Sequence, residues 1–144
     1  SLHDALPILS AKPHPIILVA EDDPDDALML KDAFLEINQP DITFLTNGKL
    51  LIEHIEKLLV NNQLPSLVVV DLNMPVLDGR GVIAELKNSE KTKQIPLVVL
   101  STTKNKDDID SAIALGANEV FTKPASFKDL VNITTNITTK WLTT

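Results

Sequence analysis

Acidic, hydroxyl and amino side chains follow short apolar runs at several places in this chain. Asp71 ends the run Leu-Val-Val-Val-Asp, the acidic segment 21–23 follows an earlier run, and Ser101 and Lys123 follow later ones. An apolar run without polar alternation is typical of a strand that is covered on both faces, as in a parallel sheet. Ligands bind such sheets at the carboxyl ends of the strands, so these side chains are candidates for chemistry.

Three carboxylates are predicted to lie together at one edge of the sheet. If the first and third strands are neighbours in the order 2-1-3-4-5, Glu21, Asp22 and Asp71 converge at the point where the strand order reverses. Three close carboxylates repel one another, so the site needs a divalent cation or one neutral, protonated member. Oxygen ligands completed by water suit Mg²⁺ better than zinc. A metal beside a carboxylate indicates phosphoryl transfer, with Lys123 and the Ser101 hydroxyl placed to hold phosphoryl oxygens.

Five strand patterns alternate with five helical patterns and must position these groups. The strands are predicted at residues 16–20, 42–46, 67–71, 97–100 and 120–122. Among the helices, the fourth is predicted at about 106–115 and the fifth from 126 to about 141. Strict alternation requires right-handed crossovers, which predicts an α/β fold with a parallel sheet between two helix layers.

Composition narrows the class of protein. The 144 residues, 44% of them hydrophobic, suffice for one domain with a real core. The absence of Cys excludes disulfides and thiolate metal sites, and indicates a reducing compartment. Neither a secretion signal nor an apolar run near the roughly 20 residues that span a bilayer is present, so we expect a cytoplasmic protein without a membrane partner. The net charge of -7 argues against direct nucleic-acid binding.

The N-terminal residues fit nothing that follows. The codons tcc-cta-cac-gac-gct-ctt-ccg-atc encode residues 1–8 and closely resemble the end of a widely used sequencing adapter. We therefore assign residues 1–14 to an N-terminal extension, with 1–8 non-native, and residues 15–144 to one domain.

From about Pro15 to Trp141 the chain resembles a receiver domain of the two-component response regulators. The acidic pair 21–22, Asp71, Ser101 and Lys123 carry this resemblance, at the expected spacing. It implies a flavodoxin-like (βα)5 fold, a doubly wound parallel sheet with strand order 2-1-3-4-5, similar to the free-standing chemotaxis member of the family. Because no further domain follows the last helix, a single-domain regulator is expected.

The resemblance also implies a function for the site. Asp71 would accept a phosphoryl group from a histidine kinase phosphohistidine. Asp22 would bind Mg²⁺ directly, Glu21 would act mainly through a metal-bound water, and the backbone carbonyl of Asn73 would be a further ligand. The protein would then be a phosphoacceptor in signalling rather than an enzyme, with slow autodephosphorylation at most.

Residues near the last two strands carry the response to phosphorylation in this family. Ser101 would replace the more usual Thr as the switch hydroxyl, Lys123 would pair with a phosphoryl oxygen, and the bond from Lys123 to Pro124 would be cis. One position departs from the pattern, because Val120 stands where the family usually has a mobile aromatic. Alternation sends the neighbouring Phe121 to the opposite face of the sheet, so we expect output through the loop after Ser101.

Other polar residues are assigned structural roles. Carboxylates stabilise helix N-termini by capping them and by complementing the dipole. Residues in this class are Asp23, Asp25 and Asp26 around Pro24, and Asp107, Asp108 and Asp110 at the fourth helix. Asp78-Gly79 is assigned to a turn, with Gly supplying a backbone angle that other residues resist. His3, His14 and His54 are expected at the surface.

Partners and alternatives follow from the same residues. A sensor histidine kinase or a histidine phosphotransfer protein is implied, and a homodimer is left open. The Asp-Pro-Asp-Asp start of the first helix and Trp141 also resemble regulators of phytochrome-type kinases, while a phosphorelay shuttle is equally compatible.

Three other classes of protein remain as alternatives for these residues. A haloacid-dehalogenase-type phosphatase would need a general acid at the position of Asn73. A flavin binder would have its phosphate repelled by segment 21–23, and a pseudo-receiver interaction module would not need the intact site.

Overall fold

Strands and helices alternate throughout the computed structural model, which describes residues 14–142. The strands are β1 (Ile17–Ala20), β2 (Ile42–Leu45), β3 (Leu67–Val70), β4 (Leu97–Ser101) and β5 (Glu119–Thr122). The helices are α1 (Pro24–Glu36), α2 (Gly48–Val60), α3 (Gly79–Lys87), α4 (Lys106–Leu115) and α5 (Phe127–Trp141). The predicted element order is confirmed, and the proposed N-terminal extension lies outside the described residues except for His14, which is exposed.

All five strands are parallel, in the order β2-β1-β3-β4-β5. The predicted flavodoxin-like α/β topology is therefore confirmed. Ala20 pairs with Val70 at the ends of β1 and β3, so the residues that follow these two strands leave the sheet side by side. This is the point at which the strand order reverses, where doubly wound sheets bind ligands.

Helices cover both faces of the sheet. Alternate residues of each strand point to opposite faces, which gives two cores. The first core lies under α2, α3 and α4 and includes Leu18, Leu51, Val68, Ile83 and Ala112. The second lies under α1 and α5 and includes Ile17, Phe34, Val69 and Ile137. Val120 packs on the first core and Phe121 on the second, as strand alternation predicted.

Side-chain caps fix the start of every helix. The caps are Asp23, Asn47, Asp78, Asn105 and Ser126, each of which accepts a hydrogen bond from a backbone N–H of the first turn. Helix starts follow the carboxyl ends of the strands in this fold, so the same caps hold the loops that carry the candidate site. Gly116 ends α4 in the left-handed region, with φ 118°, as its role as a C-terminal cap requires.

Helix α5 is continuous although it is rich in β-branched residues, which have modest helix propensity. Its side chains compensate through tertiary contacts: Leu130 and Ile137 are buried in the second core, and Trp141 Nε1 donates to Glu119 Oε1 at 2.8 Å. Packing of one face therefore stabilises the helix. None of the helices in residues 14–142 is both long and apolar enough to cross a membrane.

Gly79 begins α3 directly against the end of β3. A Cβ at this position would lie 2.4 Å from the carbonyl oxygen of Asp71 and 2.7 Å from Leu72 Cα. Gly116 is the glycine with a positive φ in the described range, so the backbone angle that the sequence suggested for Gly79 is wrong. Close approach of two backbone segments is what requires glycine here.

Gly79→Ala is expected to lower the free energy of unfolding by about 2 kcal/mol, because the added methyl would press on backbone atoms that no rotamer change can move away. Gly81→Ala is the matched control, since its Cβ would meet mainly the flexible side chain of Leu77. Urea denaturation of both variants measures the difference. Equal stability of Gly79→Ala and the wild type would show that the β3–α3 loop yields without cost.

Candidate functional site

Backbone hydrogen bonds carry the sheet one residue beyond β1 and β3 and thereby place two carboxylates. The amide of Glu21 donates to the carbonyl of Leu45 at 3.0 Å, and the amide of Asp71 donates to the carbonyl of Ala20 at 3.2 Å. Both side chains are buried, with Glu21 6% and Asp71 7% exposed. Their positions are therefore set by the sheet rather than by flexible loops.

Glu21, Asp22 and Asp71 come together as the sequence predicted. Their carboxylate oxygens lie within 4.8 Å of one another, with Glu21 and Asp71 buried and Asp22 exposed. Three hard oxygen donors at this spacing, open to water on one side, fit a cation such as Mg²⁺, which keeps several waters when it binds proteins. Their role as metal ligands remains a prediction.

Lys123 supplies the positive charge that this cluster needs. Its Nζ donates to Asp71 Oδ2 at 2.8 Å and to Asp26 Oδ2 at 2.7 Å, and it also contacts Glu21 Oε1. The Lys123 amide donates to the carbonyl of Ser101 at 2.7 Å, which fixes the backbone beside β4. Only 14% of the lysine side chain is exposed, so one largely buried ammonium joins three carboxylates.

Both oxygens of the Asp71 carboxylate are oriented by hydrogen bonds. Oδ1 accepts from the buried Ser101 Oγ at 3.0 Å and from the Asn73 amide at 3.1 Å, while Oδ2 accepts from Lys123. Asn73 itself is exposed, and its carbonyl as a metal ligand stays a prediction. The arrangement presents one carboxylate between a hydroxyl and an ammonium.

Burial shifts the pKa values of two of these groups. Desolvation raises the pKa of Glu21 to about 7; the hydrogen bond with Lys123 opposes this rise, and the charge of Asp71 adds to it. For Lys123, desolvation lowers the pKa, but the hydrogen bonds with Asp26, Asp71 and Glu21 outweigh it and the net shift is upward. The ammonium therefore stays charged at neutral pH, whereas the Glu21 carboxyl, with its raised pKa, titrates close to neutral pH.

Two acidic residues do more than the helix-start role that the sequence suggested. Asp26 pairs with Lys123. Asp108 accepts from Arg80 at 2.8 Å and from the Thr103 hydroxyl at 2.9 Å, so it joins the loop after β4 to α3. The sequence signal was an acidic first turn in each helix, which does not reveal the residue that faces the site. Asp23 caps α1 as expected.

The bond between Lys123 and Pro124 is trans, because no peptide bond in the described range is cis. The cis bond that the resemblance implied is therefore wrong for this structure. A trans bond is the intrinsically favoured form even before proline. Lys123 nevertheless contacts Asp71, since the Ser101 carbonyl already fixes its backbone at the edge of the pocket.

Glu21→Gln is expected to abolish a pH dependence of stability measured in chelator. Between pH 4.5, the ordinary pKa, and about 7, the folded-state pKa, the folded wild type binds more protons than the unfolded chain. Its free energy of unfolding should therefore fall as pH rises through this range, by about 3 kcal/mol. The neutral amide lacks this titration, so the variant should gain on the wild type above pH 7. Parallel pH profiles would contradict a raised pKa.

Comparisons with known proteins agree with this geometry. The family model described as "response regulator receiver domain" matches residues 17–135. Response regulator Rcp1 of Synechocystis sp. is 31% identical over 137 residues, which cover 93% of this chain and 93% of the relative. A probable methanogenesis regulatory protein, FilR2 of Methanothrix harundinacea, is 33% identical over 96% of this chain and 91% of its own length.

Solved structures give the same result. The phosphorylated cyanobacterial phytochrome response regulator RcpA superimposes with a TM-score of 0.82 at 33% identity, covering 91% of this chain and 96% of that chain. The Mn²⁺-bound form of Rcp1 gives a TM-score of 0.73 at 32% identity, over 90% of this chain and 96% of that chain. The order of the five strands, the acidic edge and these likenesses lead to one conclusion: this chain belongs to the response regulator receiver domain family.

Proposed function

We propose that Asp71 accepts a phosphoryl group from a phosphohistidine, in a reaction that depends on Mg²⁺. The observation that carries the proposal is the surroundings of one buried carboxylate. Asp71 lies between the Ser101 hydroxyl and the Lys123 ammonium, and it belongs to the acidic cluster. An aspartate with only a structural role at a strand end would not need the hydroxyl, the ammonium and the acidic cluster together.

The chemistry follows from these contacts. An Asp71 oxygen attacks phosphorus, a P–O bond forms as the P–N bond breaks, and the imidazole leaves with its electron pair. Ser101 and Lys123 exchange their hydrogen bonds with Asp71 for bonds to phosphoryl oxygens, and thereby stabilise charge in the transition state. When bound, Mg²⁺ would neutralise further charge on these oxygens.

Within the cluster we assign different parts to the two neighbouring acids. Glu21 is already engaged, through Oε1 with Lys123 and through Oε2 with the Asp23 amide at 3.2 Å. Asp22 is exposed at the edge of the pocket. We infer that Asp22 would bind the cation directly, that Glu21 would act through a bound water, and that the carbonyl of Asn73 would complete the protein ligands.

Signalling rather than substrate turnover fits the site. A haloacid-dehalogenase-type phosphatase needs a general acid two residues after its nucleophile, where this chain has the exposed amide of Asn73. A pseudo-receiver, which would act only as an interaction module, would not need Asp71, Ser101 and Lys123 together at one site. The protein then acts as a phosphoacceptor, and a slow loss of its own phosphoryl group completes the cycle.

The partner is inferred to be a sensor histidine kinase or a histidine phosphotransfer protein. Receiver domains occur fused to kinases, as in the sensor histidine kinase CheAY of Helicobacter pylori, which is 28% identical over 82% of this chain. Neighbouring structures include a phytochrome response regulator and a regulator in red light signalling. We therefore favour a phytochrome-type kinase.

Acetyl phosphate with Mg²⁺ should add one phosphoryl group to the protein, and Asp71→Asn should abolish the addition, because an amide is not a competent nucleophile. Intact-mass spectrometry measures the product, which should be labile to base, as expected for an acyl phosphate. Asp107→Asn is the control, since Asp107 is exposed on α4. Full labelling of Asp71→Asn would place the acceptor elsewhere.

The output should begin at Ser101 and leave the site through Asp108. If Ser101 releases Asp71, the following loop moves, and Thr103 joins that loop to Asp108 and Arg80. Beryllofluoride should perturb backbone NMR signals of residues 101–106 and of the start of α4 strongly, and those of β5 weakly. In Asp108→Ala the change should stop before α3. Shifts limited to the acidic pocket would show that the phosphoryl group is passed on without a conformational signal.

A further inference from the structure

We propose that Asp26 is a positioning residue that holds the Lys123 ammonium ready for the phosphoryl group. This inference rests on the proposed phosphorylation of Asp71. The hydrogen bond from Lys123 Nζ to Asp26 Oδ2 is 2.7 Å long, as close as its bond to the proposed acceptor, at 2.8 Å. Asp26 is therefore a full partner of the lysine.

Asp26 differs from the other two partners of the ammonium. Glu21 and Asp71 belong to the cluster whose oxygens could hold a cation, whereas Asp26 lies outside it. An ammonium has three N–H donors, and here three carboxylates surround it. If Glu21 and Asp71 were to hold a cation, directly or through water, Asp26 would remain as the partner that keeps the lysine in place.

Burial of the lysine makes this contact more than a surface ion pair, because 14% of the Lys123 side chain is exposed, against 37% for Asp26. Asp26 lies in the first turn of α1, which Asp23 caps and which Leu30 anchors in the second core. With Lys123, it lines a pocket whose other walls include Leu100 and Leu130. These apolar side chains limit the access of water to the lysine. The ammonium is thereby held from the α1 side, on a helix that packing keeps in position.

The consequence concerns the direction of the N–H groups. One N–H bound to Asp26 leaves the remaining donors directed toward Asp71, where a phosphoryl oxygen arrives. Without Asp26, the partners of Lys123 in this pocket are two carboxylates that a cation also needs. With the cluster occupied by a cation, the ammonium would then have no partner on the α1 side to fix its position, and its N–H groups would no longer be directed at the phosphoryl group. Residue 26 must therefore have a short side chain that can accept a hydrogen bond from Lys123.

The test compares three substitutions of Asp26 by their rates of labelling with acetyl phosphate at saturating Mg²⁺. Asp26→Ala should label about tenfold more slowly, because it loses a hydrogen bond to a charged group. Asp26→Asn should retain most of the rate because it keeps an acceptor of the same length, whereas Asp26→Glu should be slow because its longer chain displaces the ammonium. Asp25→Ala should match the wild type, since Asp25 is an exposed acid in the same turn.

Mg²⁺ affinity, measured by calorimetry on the same proteins, separates positioning from a general structural role. It should stay within about twofold of wild type in all variants, because Asp26 is not among the clustered ligands. Wild-type or faster labelling of Asp26→Ala would overturn the inference, as would a loss of Mg²⁺ binding parallel to the loss of labelling. If Asp26→Ala does not fold, the other two variants decide: slower labelling of Asp26→Asn than of Asp26→Glu would overturn the inference.

Failure of this inference and failure of the proposed function are distinguishable. If the wild type itself is not labelled by acetyl phosphate, Asp71 is not the acceptor and the proposed function fails. If the wild type is labelled and all Asp26 variants are labelled equally, only the role of Asp26 is lost.

Discussion

One ammonium group among buried carboxylates sets the constraint that the rest of this structure has to meet. Glu21 and Asp71 are taken out of water at the ends of neighbouring strands, where each would repel the other. Lys123, from the end of β5, compensates them at hydrogen-bond distance. Burying such charges without partners would cost several kcal/mol, so the position of β5 relative to β1 and β3 is coupled to the chemistry of the site.

The fold meets this constraint by making the sheet rigid. β1, β3 and β4 are buried on both faces, and side-chain caps fix the helix that follows each strand. The close approach of Gly79 to the Asp71 carbonyl brings α3 against the loop that leaves β3. A buried ion cluster is weak evidence for stability. The two hydrophobic cores hold the charged residues in place. The charged residues are therefore free to change partners without loss of the fold.

Contacts of the loop after Ser101 give the proposed response to phosphorylation a physical route. The family's mobile aromatic is replaced by Val120, and Phe121 is packed into the opposite core, so neither supplies a lever at the site. The loop after Ser101 is instead joined to two helices: Asp108 on α4 accepts from Thr103 of that loop and from Arg80 on α3. Polar contacts of this kind can exchange partners with little repacking, which suits a switch.

The sequence predicted the alternation of strands and helices, and hence the convergence of Glu21, Asp22 and Asp71, because apolar runs and their periodicity are local properties. It also predicted that Val120 and Phe121 face opposite sides, since alternation is local too. Local pattern did not separate Asp26 from Asp25, although only Asp26 contacts Lys123.

That choice depends on how α1 is rotated about its axis, which the packing of Leu30 and Phe34 in the second core sets. Gly79 is a similar case, because its need for glycine comes from the close approach of α3 to the backbone that leaves β3. The sequence by itself determined which residue types stand at the strand ends. Tertiary packing alone decided which of them touch, because contacts across strands are fixed by the rotation and spacing of whole elements.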